Sequence, residues 1–216
     1  GLIIKIMITI CYPPGAGGMF VLSLMQQDPS VCSCANIGLF WHRCGQMTVS
    51  EQRQKWRQIE DANLMQNYSC CDRVHFQMTH MTPDQLGQLA WNRQKRSGQS
   101  RQSQQQKLTD MKQEWLVITC TESDRAWLIE NQRRKPYFIT DPHNQVIEQY
   151  EPTRYQRYSA RVRIPFRSLW TKEGITELIE QISQGFDLTL DPTASIELAK
   201  AWWAAQRRVG IEPPCV

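Results

Sequence analysis

Apolar positions fall along this chain in short runs whose spacing changes from one run to the next. Leu2 to Ile10 is an almost unbroken apolar run; it ends in Tyr12-Pro13-Pro14, turns through Gly15, Gly17 and Gly18, and gives way to a second apolar segment near Met19. The first run predicts a strand and the second a helix, so residues 2 to 27 read as one βα unit ending before Asp28-Pro29-Ser30. Residues 31 to 47 read as an irregular, Cys-rich connection. Thr48 or Ser50 then caps a helix to about Asn67, whose narrow apolar stripe includes Trp56, Ile59 and Leu64.

Residues 72 to 81 alternate Val74, Phe76 and Met78 with His75, Gln77 and Thr79, the period of a half-buried strand. Thr82-Pro83-Asp84 opens a short helix with Leu86 and Leu89, with Pro in the first turn where its missing N–H costs nothing. Residues 92 to 107 contain no apolar side chain and are expected to form a mobile polar loop. Trp115 to Thr119 is apolar on both faces and predicts a central strand. Glu122 to Arg134 predicts a helix, Tyr137-Phe138-Ile139 a further apolar run after Pro136, and residues 141 to 160 an irregular stretch. Arg161 to Phe166 alternates again as a strand. Gly174 to Gln184 is amphipathic, with Ile175, Leu178, Ile179 and Ile182 on one face, and Asp191 or Thr193 caps a last helix through Arg207. Trp170, Trp202 and Trp203 fall at spacings expected of core positions. Strands alternating with helices behind a glycine turn predict one α/β domain over residues 1–216, built as a three-layer parallel sheet.

Composition narrows the functional classes. At 216 residues and 41% hydrophobic content the chain can bury a core of its own. No stretch approaches the roughly 20 apolar residues of a membrane span, so no membrane partner is expected. The N-terminal run is too short for such a span, and the glycine turn does not resemble a signal-peptide cleavage region, so no targeting segment is expected. A net charge of +4 suits an anionic small molecule as well as nucleic acid. The Arg- and Lys-bearing loop at 92–107 is read as a solvated loop rather than a nucleic-acid contact. Eight cysteines are too few for a secreted disulfide scaffold. Cys32, Cys34, Cys44, Cys70 and Cys71, with His42, lack the paired Cys-x2-Cys spacing of structural zinc sites, so no metal is expected. Cys11 and Cys120 lie in apolar runs as small hydrophobes, and a reducing, cytoplasmic setting is the default.

The chemistry centres on the first turn. Strand, glycine turn and helix aim backbone N–H groups and a helix N-terminus at an anion, and residues without a Cβ let the backbone approach it closely. Residues 15 to 19 could supply those donors. It is not a Walker loop, because no Gly-Lys-Ser/Thr follows. His80 stands at the carboxyl end of the strand over residues 72 to 81, the edge at which ligand crevices of open α/β sheets lie, and an imidazole is suited to accept a proton near neutral pH.

Together these residues resemble the P-loop sulfotransferases. Tyr12 to Gly18 is similar to their phosphosulfate loop, Tyr-Pro-Lys-Ser-Gly-Thr-Thr, and closest to a short variant reading Pro-Gly-x-Gly-Gly. Thr79-His80-Met81-Thr82-Pro83 resembles their Lys-Thr-His-Leu-Pro motif with one added residue. Ser168-Leu169 and Gly185-Phe186-Asp187-Leu188 resemble the later Tyr-Glu-Asp-Leu and Phe-Leu-Gly-Leu segments. The resemblance implies a sulfotransferase-like fold and transfer of a sulfuryl group from 3′-phosphoadenosine 5′-phosphosulfate to a hydroxyl or amine of a small molecule or polysaccharide. In that reading His80 is the catalytic base, and Tyr12, Pro13, Pro14, Gly15, Ala16, Gly17, Gly18 and Met19 bind the donor. The chain departs from the pattern at three positions: Pro14 stands at the family's loop Lys, and Cys120 and Leu128, aligned on Asp124, stand at the Arg and Ser that hold the donor's 3′-phosphate. Those departures support a second expectation, a non-catalytic protein of the same fold that acts with a protein assembly partner.

Overall fold

The computed structural model describes residues 6–13, 15–31, 74–79, 112–133, 159–208 and 210–214. Four strands form one sheet in the order β2-β1-β3-β4: β1 Ile6–Cys11, β2 Val74–Thr79, β3 Lys112–Thr119 and β4 Val162–Pro165. Every pairing is parallel. The α/β class with a parallel sheet therefore stands as the sequence predicts.

Burial explains why these runs are strands. In β1 every residue from Met7 to Cys11 is buried, and in β3 Leu116, Val117 and Ile118 are buried consecutively. A strand covered on both faces needs continuous apolar sequence, which both runs supply. β3 begins at Lys112, three residues before the apolar run that predicts it, because Lys112 and Gln113 are exposed and carry no apolar signal. In β2, Val74 and Phe76 are buried.

The described helices are α1 Gly18–Met25, α2 Glu122–Arg133, α3 Lys172–Phe186 and α4 Pro192–Arg208. The alternating Arg161 to Phe166 segment is not all strand: the ladder ends at Pro165, and Phe166–Trp170 winds into a 3-10 helix. α3 starts two residues before the predicted Gly174, because Thr171 caps it by accepting the Gly174 N–H at 3.1 Å. α4 is capped by Asp191, whose Oδ1 accepts from the N–H of Thr193 and of Ala194 at 2.8 and 3.1 Å.

A continuous core joins the sheet to α1, α3 and α4. Phe20 of α1 stacks on Trp202 of α4 at 4.6 Å and 9°, and Trp202 meets Trp170 at 4.8 Å. Trp170 in turn meets Trp127 of α2 edge-on at 5.6 Å. Trp170 and Trp202 are core residues, as their spacing predicts, while Trp203 is half-buried and donates its indole N–H to the Leu169 carbonyl at 2.8 Å. Asp28, at the end of the first βα unit, accepts the Ser30 N–H at 2.7 Å and the Thr189 N–H at 2.6 Å, tying that unit to the α3–α4 connection.

Several sequence expectations lie outside the described residues: the Cys-rich connection, the helix to Asn67, the helix after Thr82, the polar loop at 92–107, the run at Tyr137, and nearly all of the 141–160 stretch. Among the described residues no helix is long and apolar enough to cross a membrane.

Candidate functional site

All four strands end at one edge. The register pairs Cys11 with Thr79 and with Val117, and Thr119 with Pro165, so the segments following β1, β2, β3 and β4 leave the sheet side by side. β2 lies on one side of β1 and β3 on the other. That reversal of direction is the topological switch point where open α/β sheets hold ligands.

The glycine turn fills this point. Ala16 donates its N–H to the Pro13 carbonyl at 3.0 Å, closing a four-residue turn. Pro-Gly at its centre is the sequence preference of a type II turn, and Gly15 adopts the matching φ of 84°. Gly17, at φ 85° and ψ 17°, is left-handed and stands at the N-cap of α1. A Cβ there would lie 3.1 Å from Leu169 Cδ1 and 3.2 Å from Trp202 Cζ2, so the turn is packed as well as wound. Gly18 is fixed by close approach: a Cβ would collide with Cγ, Cδ1 and Cε1 of the Tyr12 ring.

The start of α1 is electrostatically open. Its N-cap has no side chain to accept a hydrogen bond, and its first turn contains no acidic residue. The helical ladder begins with the Val21 N–H on the Gly17 carbonyl at 3.0 Å. The N–H groups of Gly18 and Met19 precede it and receive no capping oxygen from Gly17. All eight residues of α1 are buried, and a buried helix end without a cap is where a ligand oxygen is stabilising. Burial also pushes the Cys11 thiol up to about 12 and raises the Tyr12 phenol above its ordinary range. Both groups are therefore neutral near pH 7 and place no negative charge beneath the turn.

The neighbouring α2 start is closed by its own residues. Thr121 donates its N–H to Asp124 Oδ2 at 2.8 Å, and Asp124 donates its N–H to Thr121 Oγ1 at 3.2 Å, a reciprocal cap. Asp124 Oδ1 also accepts from Arg167 Nε at 2.6 Å, and Arg167 Nη2 donates to Ser123 Oγ at 3.0 Å.

Of the residues predicted for donor binding, Tyr12, Pro13, Gly15, Ala16, Gly17, Gly18 and Met19 come together in this turn; Pro14 and the proposed base His80 lie outside the described residues. Cys120 and Leu128 are both buried, so neither reaches a ligand phosphate. Arg167 is the residue that sequence reading misses. The Thr121-x-x-Asp124 spacing was a legible cap signal, but nothing local ties Arg167 to it across 43 positions. Cys32, Cys34, His42, Cys44, Cys70 and Cys71, whose spacing argues against zinc, lie outside the described residues. Cys11 and Cys120 are buried and form no disulfide, and among the described residues no group of His, Cys, Asp and Glu could hold a metal ion.

Comparison with protein-family models, curated proteins and solved structures finds no match.

Proposed function

We propose that this chain is a three-layer, sulfotransferase-like protein whose glycine turn holds the phosphosulfate end of 3′-phosphoadenosine 5′-phosphosulfate in a reducing, cytoplasmic setting. The observation that carries the reading is the uncapped, buried start of α1, wound by two left-handed glycines at the switch point. Its donors suit an anionic oxygen, and the neutral Cys11 and Tyr12 set no charge against it. The phosphosulfate half of the donor fits these residues. The 3′-phosphate does not fit the positions at which the family resemblance puts it, because Cys120 and Leu128 are buried and carry no anion-binding group.

The chain's own residues then divide the work. The N–H groups at 17 to 19 orient the anionic end and stabilise charge developing on the oxygen that leaves sulfur. His80, one peptide bond after Thr79, takes the proton from the acceptor hydroxyl or amine as its oxygen or nitrogen bonds to sulfur. The register that sets Thr79 beside Cys11 supports this pairing of base and turn.

Calorimetric titration with 3′-phosphoadenosine 5′-phosphate, with ATP as control, tests the reading. Micromolar binding selective for the former is expected, and His80→Ala should then abolish sulfuryl transfer while leaving that binding within about threefold, since general-base catalysis contributes roughly 10²–10⁴ in rate rather than in ground-state binding. Absence of binding would favour the second reading, a non-catalytic protein of this fold acting in an assembly. The observation on its side is the loss of the 3′-phosphate ligands to buried, apolar Cys120 and Leu128.

A further inference from the structure

We propose that Trp203 is a positioning residue of the glycine turn: its indole N–H, acting through Leu169, holds Gly17 in the left-handed form and so sets the direction of the N–H groups that follow. The inference deepens the phosphosulfate reading above, on which only its ligand-binding arm rests. It places control of the turn on α4, far along the chain from the residues that form it.

Gly17 needs a constraint from outside the turn. Glycine populates positive and negative φ about equally, so the residue itself does not select the observed 85°. The Ala16 N–H on the Pro13 carbonyl closes the turn one residue earlier and leaves Gly17 outside the closed ring. What stands against Gly17 is a pair of side chains. From the point to which a Cβ would project, Leu169 Cδ1 lies at 3.1 Å and Trp202 Cζ2 at 3.2 Å. Rotating Gly17 away from its left-handed form turns the Gly17–Gly18 peptide, and the Gly18 N–H turns with it.

Consecutive residues of α4 set both walls. Trp202 supplies one directly and is itself held by stacking on Phe20 at 4.6 Å. Trp203 sets the other by donating its indole N–H to the Leu169 carbonyl at 2.8 Å. That carbonyl belongs to the end of the 3-10 helix Phe166–Trp170, where helices leave carbonyls without an internal partner. Leu169 is fully buried and Trp203 half-buried, so the bond carries a constraint inward from the surface of α4 to the turn. Trp203 acts on the N–H groups of the turn only through Leu169.

Hydrogen exchange on the full chain reads the turn without a ligand. The Val21 N–H bonds the Gly17 carbonyl at 3.0 Å and the Gln26 N–H bonds the Leu22 carbonyl at 2.9 Å, one toward each end of α1. Trp203→Phe keeps a ring and removes the N–H. Val21 exchange should accelerate about tenfold or more, the scale of one lost hydrogen bond, while Gln26 changes less than about twofold. A merely structural role would speed both alike; that result, or no change in either, overturns the inference. Leu169→Val withdraws the Cδ1 methyl and should reproduce the pattern, and the double variant should add less than about twofold to the larger single effect. Fully multiplicative effects overturn the relay. Should Trp203→Phe fail to fold, Leu169→Val decides by the same comparison of Val21 with Gln26. In the ligand arm, calorimetry with 3′-phosphoadenosine 5′-phosphate should show Trp203→Phe binding about fivefold or more weakly than wild type. Equal affinity overturns the inference and leaves the phosphosulfate reading standing. If wild type does not bind that nucleotide, the phosphosulfate reading falls, and the exchange comparison alone decides the inference.

Discussion

Gly18→Ala is the sharpest probe of how the turn is built, because the added methyl meets a wall. Its Cβ would collide with three atoms of the Tyr12 ring, and Tyr12 is only 4% exposed. Overpacking of this kind costs about 1–3 kcal/mol, set against a helix-propensity gain of under about 1 kcal/mol. For a chain of this size, each kcal/mol moves the melting temperature by roughly 2–4 °C. A net loss of about 1–2 kcal/mol therefore predicts a drop of roughly 2–8 °C, with a matching fall in the urea midpoint and no change in m-value. The cause can be isolated in a double-mutant cycle with Tyr12→Ala. Removing the ring removes the obstacle, so Gly18→Ala should become neutral or stabilising in that background, with a coupling of at least about 1 kcal/mol. The reasoning is refuted if Gly18→Ala leaves stability unchanged in the wild-type background, or if its cost persists without the ring.

Two further outcomes follow from the same core. Trp202→Ala, which removes the ring stacked on Phe20 and packed beside Gly17, should cost about 3–5 kcal/mol in chemical denaturation, and a loss below 1 kcal/mol would contradict the packing. The Cys11 thiol, raised from 9.0 to about 12, is protonated in the folded state over a range where the unfolded chain ionises. Stability is then fully present below pH 9.0 and falls as pH rises toward about 12, and Cys11→Ala should flatten that decline. Tyr12, raised in the same direction, leaves a residual slope at higher pH.

The sequence was informative where a physical pattern is local. β1 and the apolar half of β3 are continuous runs, the alternating run that predicts β2 does form a strand with Val74 and Phe76 buried, and the glycine turn is written in residues that only a tight, close-packed bend requires. It was silent where structure depends on partners far along the chain. Alternation from Arg161 to Phe166 does not reveal that the ladder stops at Pro165, because Phe166 remains buried after the chain leaves the sheet. Gly174 resembles a helix start and masks Thr171, the residue that caps. Neither Asp124 nor Arg167 carries any sign of the other, so the fixed charge at the carboxyl edge emerges only when β3 and β4 are laid side by side.

The magnitudes explain why one open helix end is not a sufficient binding site. An anion at a helix N-terminus gains about 0.3–1 kcal/mol when exposed and up to ~2 kcal/mol in a partly buried setting. Micromolar affinity corresponds to about 8 kcal/mol, so the turn alone leaves most of that unaccounted for. In proteins whose phosphate loop carries a lysine, a formal charge sits within the loop itself; here residues 12–19 include no Lys or Arg, and Cys11 and Tyr12 are neutral. The compensation has to come from elsewhere on the same edge. The aromatic chain Phe20, Trp202, Trp170 and Trp127 runs from α1 to α2 and makes that edge one packed body. A cation fixed on that body would act on an anion with little ordering cost of its own, since its geometry would be set before binding.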